Sequence, residues 1–316
     1  MRKPTKAAKA RRKAGPWQPS TVRDLVRHAA RRFARAKLTF GQGTHNAVEE
    51  AIFLVCEALG LPVNEAAPFL AKRLTAAERE SVLALIDKRV RQRIPAAYLL
   101  HSAYLQNLRF YVDERVIVPR SYLAELLCGD LFSGDRPLND RQAVTRVLDL
   151  CTGSGCLAVL ACHVFPRAHV DAVDISEDAL QVAEINVTAH GLDDRVSLRK
   201  SDLFAAVGDA VYDVIVTNPP YVDARAMAKL PREYRQEPRV AFAGGTDGLD
   251  IVRRIVREAP AHLRARGGLL CEVGRGRTIL ERDFPHQSFL WLDTEDSSGE
   301  VFWITAADLK RSAALT

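Results

Sequence analysis

The sequence predicts an α/β protein in which a mostly parallel sheet with an antiparallel edge hairpin follows a small all-α domain. From Arg146 onward, short runs of β-branched residues alternate with helical patterns, which is typical of parallel strands joined by crossover helices. Between residues 20 and 103, apolar residues recur at helical spacing. We therefore expect a basic disordered tail (1–19), a helical substrate-recognition domain (20–103), a β-hairpin linker (104–118) and a catalytic α/β domain (119–316).

Composition limits the class of protein. At 316 residues, 47% hydrophobic and 27% charged, the chain is long enough for two domains with a sizeable core. No apolar run approaches the ~20 residues that span a bilayer, and the amino terminus has no hydrophobic segment typical of a secretion signal. The six cysteines and eight histidines are scattered, with no C-x-x-C pair. We therefore expect reduced thiols, no metal site, no membrane contact and a cytoplasmic location.

Positive charge is concentrated at one end of the chain. Residues 1–40 contain thirteen Lys or Arg and one acid, Asp24, so the net charge of +6 leaves the other 276 residues at −6. The segment 1–19 lacks periodicity and is interrupted by Pro and Gly, which predicts disorder. It could contact ribosomal RNA or a ribonucleoprotein through its charge. A solubilising tail and an organellar transit peptide are the alternatives.

Three amphipathic helices are predicted in the helical domain. Apolar residues at helical spacing predict the first over Thr21–Lys37 and the second over Ala47–Leu59. A capping box formed by Thr75 and Glu78 starts the third, and Pro95 ends it. No residue in these helices suggests chemistry, so we expect the domain to recognise a substrate or to support the fold.

The segment that follows changes from helical to strand periodicity. Residues 110–112 and 116–118 are rich in β-branched and aromatic residues, and they predict a β-hairpin that turns at residues 113–115. Pro119 is typical of a helix start. Such a helix would place Arg120 and Glu125 where the α/β domain begins.

Five parallel strands and one edge hairpin are predicted in the α/β domain. The parallel strands are expected at Arg146–Leu150, Val170–Val173, Val196–Arg199, Val211–Thr217 and Leu269–Val273. The hairpin is expected to pair Phe289–Leu292 with Val301–Thr305 across Asp296–Gly299.

A nucleotide pocket is predicted where the first parallel strand ends. The strand leads from Asp149 into a turn made of Cys151, Thr152, Gly153, Ser154 and Gly155. Glycines at such a strand-to-helix turn let the backbone approach a ligand. Asp174 ends the next strand, where it can accept from ribose hydroxyls, and Asp202 ends the third, where it can accept from an adenine amino group beside Leu203 and Phe204. This pattern alone also fits an NAD-dependent dehydrogenase.

The fourth strand ends in a rigid corner, Asn218-Pro219-Pro220-Tyr221. Prolines cannot donate to a sheet ladder, so the corner offers an amide side chain, free backbone carbonyls and an aromatic face at the ligand-binding edge of the sheet. The Asn218 side-chain oxygen and the Pro219 carbonyl can accept hydrogen bonds from the two N–H groups of a planar NH₂. These bonds would direct the nitrogen lone pair at an electrophilic methyl group. A stiff turn without chemistry is the alternative for this corner. The corner also argues against the NAD-dependent dehydrogenase, which has no use for it.

The chain resembles the class I S-adenosylmethionine-dependent methyltransferases, which have a Rossmann-like fold. The residues that carry this resemblance are Asp149–Gly155, Asp174, Asp202 and Asn218–Tyr221. Specifically, the chain resembles the protein-glutamine N-methyltransferases. Further blocks carry the same resemblance: Arg93–Leu99, Phe110–Val116, Val118–Ser121, Glu237-Pro238, Gly244–Asp250 and Glu272–Gly274.

The resemblance implies roles for individual residues. S-adenosyl-L-methionine, whose product is S-adenosyl-L-homocysteine, would contact Asp149, Cys151, Thr152, Gly153, Ser154, Gly155, Asp174, Ile175, Asp202, Leu203 and Asn218. The substrate glutamine would contact Asn218, Pro219, Pro220, Tyr221 and Arg120.

The chain resembles one branch of this family in the block Pro119-Arg120-Ser121 with Glu125. That branch acts on large-subunit ribosomal protein L-three, and the resemblance implies this protein as the partner, either free or in an assembling ribosomal particle. The release-factor branch usually carries an acid-rich sequence after Pro-Arg-Pro. Tyr122-Leu123 departs from the ribosomal branch, which usually has Pro and an aliphatic residue there, and so leaves the local loop geometry open.

Three alternatives remain from the sequence. One is a release-factor glutamine methyltransferase, and another is an adenine-N6 methyltransferase of DNA or ribosomal RNA, which can share the same corner. Enzymes that act on DNA need a basic cleft or a recognition domain, whereas the net charge of residues 41–316 is −6. The third is a ribosome-assembly factor without catalysis, against which the acids and Asn218 argue.

Overall fold

The computed structural model describes residues 18–132 and 140–313. The predicted tail therefore lies almost wholly outside the described residues. The amino-terminal part is helical, with α1 at Val22–Arg35, α2 at Ala47–Ala58, α3 at Ala76–Gln92 and α4 at Ala96–Leu100. The three predicted helices are confirmed, and α4 is an additional short one.

The capping box predicted at Thr75 is confirmed. The Thr75 hydroxyl accepts from the backbone N–H of Glu78 at 3.2 Å, and the Glu78 carboxylate accepts from the backbone N–H of Thr75 at 2.8 Å. Thr21 and Asp24 form a second capping box at the start of α1. Side-chain caps satisfy N–H groups that have no partner within a helix, so the sequence fixes both helix starts.

A β-hairpin follows α4, but its predicted position was wrong. The strands β1 (Ala103–Leu105) and β2 (Leu108–Phe110) pair antiparallel, and they turn at Gln106 and Asn107, both with positive φ. Residues 112–118 form no strand. The turn expected at residues 113–115 is present, since the Asp113 carboxylate accepts from the backbone N–H of Arg115 at 3.1 Å, but no strands pair across it. The strand pairing lies earlier in the chain, where Gln106 and Asn107 adopt positive φ and form the tight turn.

The helix expected at Pro119 begins later, as α5 at Leu123–Cys128. Two contacts hold the preceding backbone out of a helix. The N–H of Val118 donates to the Glu237 carboxylate at 3.2 Å, and the Ser121 hydroxyl accepts from the N–H of Leu123 at 3.2 Å. Ser121 therefore acts at the start of α5, as Ser residues commonly do at helix starts.

The α/β domain contains a seven-stranded sheet whose five parallel strands and edge hairpin were predicted. The strands are β3 (Arg146–Leu150), β4 (His169–Asp174), β5 (Val196–Lys200), β6 (Tyr212–Thr217), β7 (Leu263–Glu272), β8 (Leu290–Asp293) and β9 (Ser298–Thr305). Their order is β5-β4-β3-β6-β7-β9-β8. Strands β3 to β7 pair parallel, whereas β9 pairs antiparallel with β7 and with β8. The order reverses between β3 and β6, which is where open α/β sheets bind ligands.

Helices cover both faces of the sheet. The helices of this domain are α6 (Cys156–Val164), α7 (Glu177–Ala189), α8 (Ala224–Ala228), α9 (Asp250–Glu258), α10 (Arg277–Asp283) and α11 (Ala306–Ala313), of which α8 has no buried residue. Along β6, Val214 and Val216 belong to one buried apolar cluster and Ile215 to the other, as alternating side chains on a two-sided sheet require. A third cluster joins α1 to α4 with Ala179 and Val182 of α7. No helix in the described part of the chain is long and apolar enough to cross a membrane.

Candidate active site

The turn between β3 and α6 has three residues with positive φ: Cys151 at 59°, Gly153 at 56° and Gly155 at 77°. A Cβ on Gly155 would lie 3.1 Å from the Cβ of Ala183 in α7, so this glycine permits close helix packing. A Cβ on Gly153 would meet no atom within 4 Å. Gly153 therefore faces open space, as a backbone that a ligand approaches should.

Asp149 lies under this turn and is fully buried. Its carboxylate accepts from the Thr152 hydroxyl at 2.6 Å. The pKa of Asp149 is raised to about 7, mainly by burial and to a smaller extent by the nearby Asp174, while the Thr152 hydrogen bond opposes the shift. Asp149 thus holds the turn from within the core.

Asp174 ends β4 and joins two turns. One carboxylate oxygen accepts from the N–H of Gly153 and the other from the N–H of Ser176, both at 2.9 Å. Burial raises the pKa of the Asp174 carboxyl, and these backbone hydrogen bonds oppose the shift. The sequence predicted Asp174 as an acceptor for a ligand, but not that it also fixes the glycine turn.

An apolar cavity opens at this edge of the sheet. Residues predicted to contact the cofactor that line it are Cys151, Gly153, Asp174, Ile175, Asp202, Leu203 and Asn218. Ile175 and Val240, which both line the cavity, are 55% and 52% exposed. Exposed large apolar side chains facing a cavity beside acceptor carboxylates suit a flat, partly polar ligand such as a nucleoside.

Not every predicted cofactor contact lines the apolar cavity. Of the described residues predicted for this role, Asp149, Thr152, Ser154 and Gly155 lie outside its lining. Asp202 lines it, and its carboxylate also accepts from Arg254 at 2.9 Å. Phe204, expected beside an adenine ring, instead stacks on His262 with the ring centres 4.5 Å apart.

The corner at the end of β6 lies between this cavity and a second, polar cleft. The Thr217 hydroxyl donates to the Leu150 carbonyl at 2.8 Å, which ties the ends of β6 and β3 together. Asn218 and Pro220 line the apolar cavity, whereas Tyr221 lines the polar cleft. Pro219 is buried between them in the chain.

The polar cleft has a volume of about 650 Å³. Its lining includes Arg120, Ser121, Tyr122, Tyr221 and Glu272. Residues from the helical part and from the hairpin, such as Thr44 and Tyr104, also line it. The cleft therefore brings together three regions that are far apart in sequence.

Arg120, predicted to contact the substrate, is already bound on two sides. Its two terminal nitrogens donate to the Glu237 carboxylate at 2.8 and 2.7 Å. Its guanidinium lies 5.2 Å from the ring centre of Tyr234 and 5.7 Å from that of Phe242. Arg120 thus joins the loop before α5 to the segment after the corner.

Tyr221 is held at its tip and along its ring. Its hydroxyl donates to Glu272 at 2.6 Å, and a Cβ on Gly274 would lie 2.8 Å from its ring carbons. Sequence reasoning assigned no role to Glu237, Glu272 or Gly274, although all three lie in blocks that carry the family resemblance. Their positions in those blocks were the available signal.

Two kinds of comparison agree with this geometry. A family model described as "Methyltransferase small domain" matches residues 137–232. The ribosomal protein uL3 glutamine methyltransferase of Bradyrhizobium diazoefficiens is 57% identical over 308 residues, which cover 96% of this chain and 96% of the relative. The Burkholderia pseudomallei protein of the same name is 51% identical over 93% of this chain and 97% of the relative. That of Neisseria gonorrhoeae is 48% identical over 92% and 96%.

These identities extend over nearly the whole chain, including the helical part as well as the sheet. The mostly parallel sheet, the glycine turn and the apolar cavity are those of a class I methyltransferase that uses S-adenosylmethionine. The chain therefore belongs to the family of ribosomal protein uL3 glutamine methyltransferases.

Proposed function

We propose that this protein methylates the side-chain amide nitrogen of a glutamine in ribosomal protein uL3, the protein called L-three above. The observation that carries the proposal is the position of the corner: Asn218 and Pro220 line the apolar cavity, and the next residue, Tyr221, lines the polar cleft. A planar amide in the cleft would then lie between the corner and the methyl donor. The names of the relatives support uL3 as the substrate.

The chemistry follows from the weakness of an amide nitrogen as a nucleophile, since its lone pair is delocalised into the carbonyl. S-adenosylmethionine supplies an electrophilic methyl group on a sulfonium. The Asn218 side-chain oxygen and the Pro219 carbonyl would accept hydrogen bonds from the two N–H groups of the glutamine amide. Because those N–H groups would become more acidic as the nitrogen gains positive charge, both contacts would strengthen in the transition state and lower the barrier.

The remaining steps need only positioning. Tyr221 packs on the planar amide and keeps the nitrogen in line with the methyl group. The methylated nitrogen carries a positive charge and loses one proton to water, so no dedicated base is required. Pro220 keeps the backbone of the corner rigid while the contacts form.

On the cofactor side, Asp174 would accept from the ribose hydroxyls and Asp202 from the adenine amino group. Cys151, Gly153, Ile175 and Leu203 would form the wall around the nucleoside. Asp149, Thr152, Ser154 and Gly155 would act behind that wall by holding the turn.

The partner and place of action are part of the same proposal. The protein would meet uL3 in the cytoplasm, before or during ribosome assembly. Residues 1–40, with thirteen Lys or Arg, would contact ribosomal RNA in the particle. Arg120 would shape the cleft through Glu237 and border the glutamine.

Mass spectrometry of ribosomal proteins from cells that lack this protein tests the proposal. We expect one glutamine of uL3 to lose its methyl group while release factors stay unchanged. The reverse pattern would assign the protein to release factors, and unchanged methylation of both would refute the proposed substrate class.

A further inference from the structure

Glu272 is a buried carboxylate that none of the steps above uses. It is the last residue of β7 and is 1% exposed. The residue before it, Cys271, pairs with Thr217, the last residue of β6, so Glu272 lies level with Asn218, the residue that follows that strand. The sheet thus places this carboxylate directly beside the catalytic corner.

The hydrogen bonds of Glu272 come from two separate segments. One oxygen accepts from the Tyr221 hydroxyl at 2.6 Å. The other accepts from the Ser121 hydroxyl at 2.7 Å and from the backbone N–H of Tyr122 at 3.1 Å. Tyr221 belongs to the corner, while Ser121 and Tyr122 belong to the loop before α5. A single carboxylate therefore joins two parts of the lining of the polar cleft.

Burying the Glu272 carboxylate costs free energy that its hydrogen bonds have to offset. Among the described residues, no Lys or Arg forms an ion pair with Glu272, so only neutral donors compensate its burial. Burial raises the pKa of the Glu272 carboxyl, and the hydrogen bonds from Ser121 and Tyr221 oppose the shift. An isolated buried carboxylate of this kind destabilises a fold unless its hydrogen bonds are complete, and such groups cluster at functional sites.

The contact with Glu272 also fixes how Tyr221 presents itself. Burial raises the pKa of Tyr221 well above its ordinary value, so its hydroxyl stays protonated and acts as the donor. Gly274, with φ of 51°, comes so close to the ring that any side chain there would collide with it. The ring is therefore held at its tip by Glu272 and along its edge by Gly274.

We propose that Glu272 is a positioning residue that sets the width of the polar cleft for the glutamine, by holding Tyr221 and the Ser121–Tyr122 backbone at a fixed separation. The inference rests on the proposed function, because it concerns how that substrate is placed. It assigns Glu272 to substrate binding and not to cofactor binding, since Glu272 lines the polar cleft and the cofactor residues line the apolar cavity.

The test uses the full-length protein and the substitutions Glu272→Gln, Glu272→Ala and Tyr221→Phe. Gln can accept from Tyr221 or from the loop but not from both, so we expect a graded rise in the KM for uL3. The rise should reach about tenfold or more for Glu272→Ala, the range expected from loss of hydrogen bonds to a charged group. Calorimetry should show the same affinity for S-adenosylmethionine in all three variants.

A double substitution and a matched control make the test specific. Because Glu272 acts through its hydrogen bond from Tyr221, the Glu272→Gln, Tyr221→Phe double variant should raise KM less than the product of the two single effects. Glu281→Gln is the control, since Glu281 also accepts from an aromatic side chain, Trp291, at 2.8 Å but stands outside the lining of the polar cleft. It should leave KM unchanged.

Three results would overturn the inference: an unchanged KM with a lower kcat, an equal loss of cofactor affinity, or multiplicative effects in the double variant. The wild-type protein is first assayed on uL3 and on release factors, and whichever it methylates serves as the substrate. If it methylates neither, the proposed function fails, while a crystal structure of the Glu272→Gln variant still tests the inference. A Tyr221 ring that stays against Gly274 with the loop in place would then contradict it.

Discussion

In the proposed cofactor half of the site, the carboxylates of Asp149 and Asp174 accept from residues at most 21 positions away, whereas in the proposed substrate half the carboxylates of Glu237 and Glu272 accept from residues 51 to 151 positions away. Asp149 and Thr152 are three positions apart, and Asp174 and Ser176 are two apart. By contrast, Arg120 and Glu237 are 117 apart, and Ser121 and Glu272 are 151 apart. The proposed methyl-donor pocket is thus built largely from short motifs, while the proposed substrate cleft exists only once the whole chain has folded.

The same contrast appears where the helical part meets the segment after the corner. Glu233, which is 2% exposed, accepts from Arg93 at 3.0 Å and from the N–H of Thr39 at 3.1 Å. Arg89, fully buried, lies 3.8 Å from Glu233 and donates to Glu50 at 2.7 Å. Buried charges bind the helical part to the methyltransferase part along the substrate side.

The largest effect should come from breaking this buried ionic contact. Glu233→Ala removes the carboxylate that pairs with Arg93 and faces the buried Arg89, while Arg93 keeps the carbonyls of Ala36 and Lys37. Because this leaves buried positive charge without its counterion, we expect the free energy of unfolding to fall by about 3–5 kcal/mol. Urea denaturation measures the change. Glu114→Ala, at an exposed turn position, is the control and should shift stability by less than ~0.5 kcal/mol. A loss below 1 kcal/mol for Glu233→Ala would show that the two parts fold together without it.

The next effect concerns the corner that both halves share. Asn218→Ala removes an acceptor whose hydrogen bond strengthens in the transition state. By analogy with loss of an oxyanion-hole donor, we expect the activation barrier to rise by about 2.7–4 kcal/mol, so that turnover falls about hundredfold to thousandfold. Single-turnover assays at saturating cofactor and uL3 measure this. Asn64→Ala, which removes an exposed amide bonded to Asn107, is the control. A loss under tenfold would make the corner a structural turn.

A smaller effect separates the cofactor half from the substrate half. Asp174→Ala should weaken S-adenosylmethionine binding by about 1–3 kcal/mol, because ribose hydroxyls and the N–H groups of Gly153 and Ser176 lose their acceptor. Calorimetry measures the affinity, and the KM for uL3 should change little. Asp174→Asn, which keeps one acceptor oxygen, should lie between. Equal affinity in the wild type and the alanine variant would refute the ribose assignment.

The smallest effect should come from the basic amino terminus. Deleting residues 2–13 removes seven Lys or Arg, and at low salt this should weaken association with assembling ribosomal particles. At high salt the full chain and the deletion should bind alike, because counterion release then contributes little. Co-sedimentation at the two salt concentrations measures the difference. No change at either concentration would leave the tail without a part in recognition.

Local sequence determines what could be predicted of the fold. The five parallel strands, the edge hairpin and the Thr75 capping box are set by periodicity and by neighbouring side chains, and all were predicted. The first hairpin was misplaced because Gln106 and Asn107 adopt positive φ and turn the chain there, which no pattern of β-branched residues reveals.

The site shows the same limit. The glycine turn, Asp174 at the end of β4 and Asp202 just after β5 were found from motifs. The positive φ of Cys151 and Leu203 could not be predicted, because residues other than glycine seldom adopt it. Glu237 and Glu272 gained roles only from partners more than fifty positions away. Their chemistry depends on tertiary contacts, so no local pattern could predict it.

The central claim is that the corner, with the cofactor on one side and the substrate on the other, acts on a glutamine amide of uL3. The most direct test incubates the wild-type protein with methyl-labelled S-adenosylmethionine and equal amounts of uL3, release factors, ribosomal RNA and DNA. The account predicts label on one glutamine of uL3, and no label with the Asn218→Ala variant. Label on adenine in RNA or DNA, with none on uL3, would contradict it.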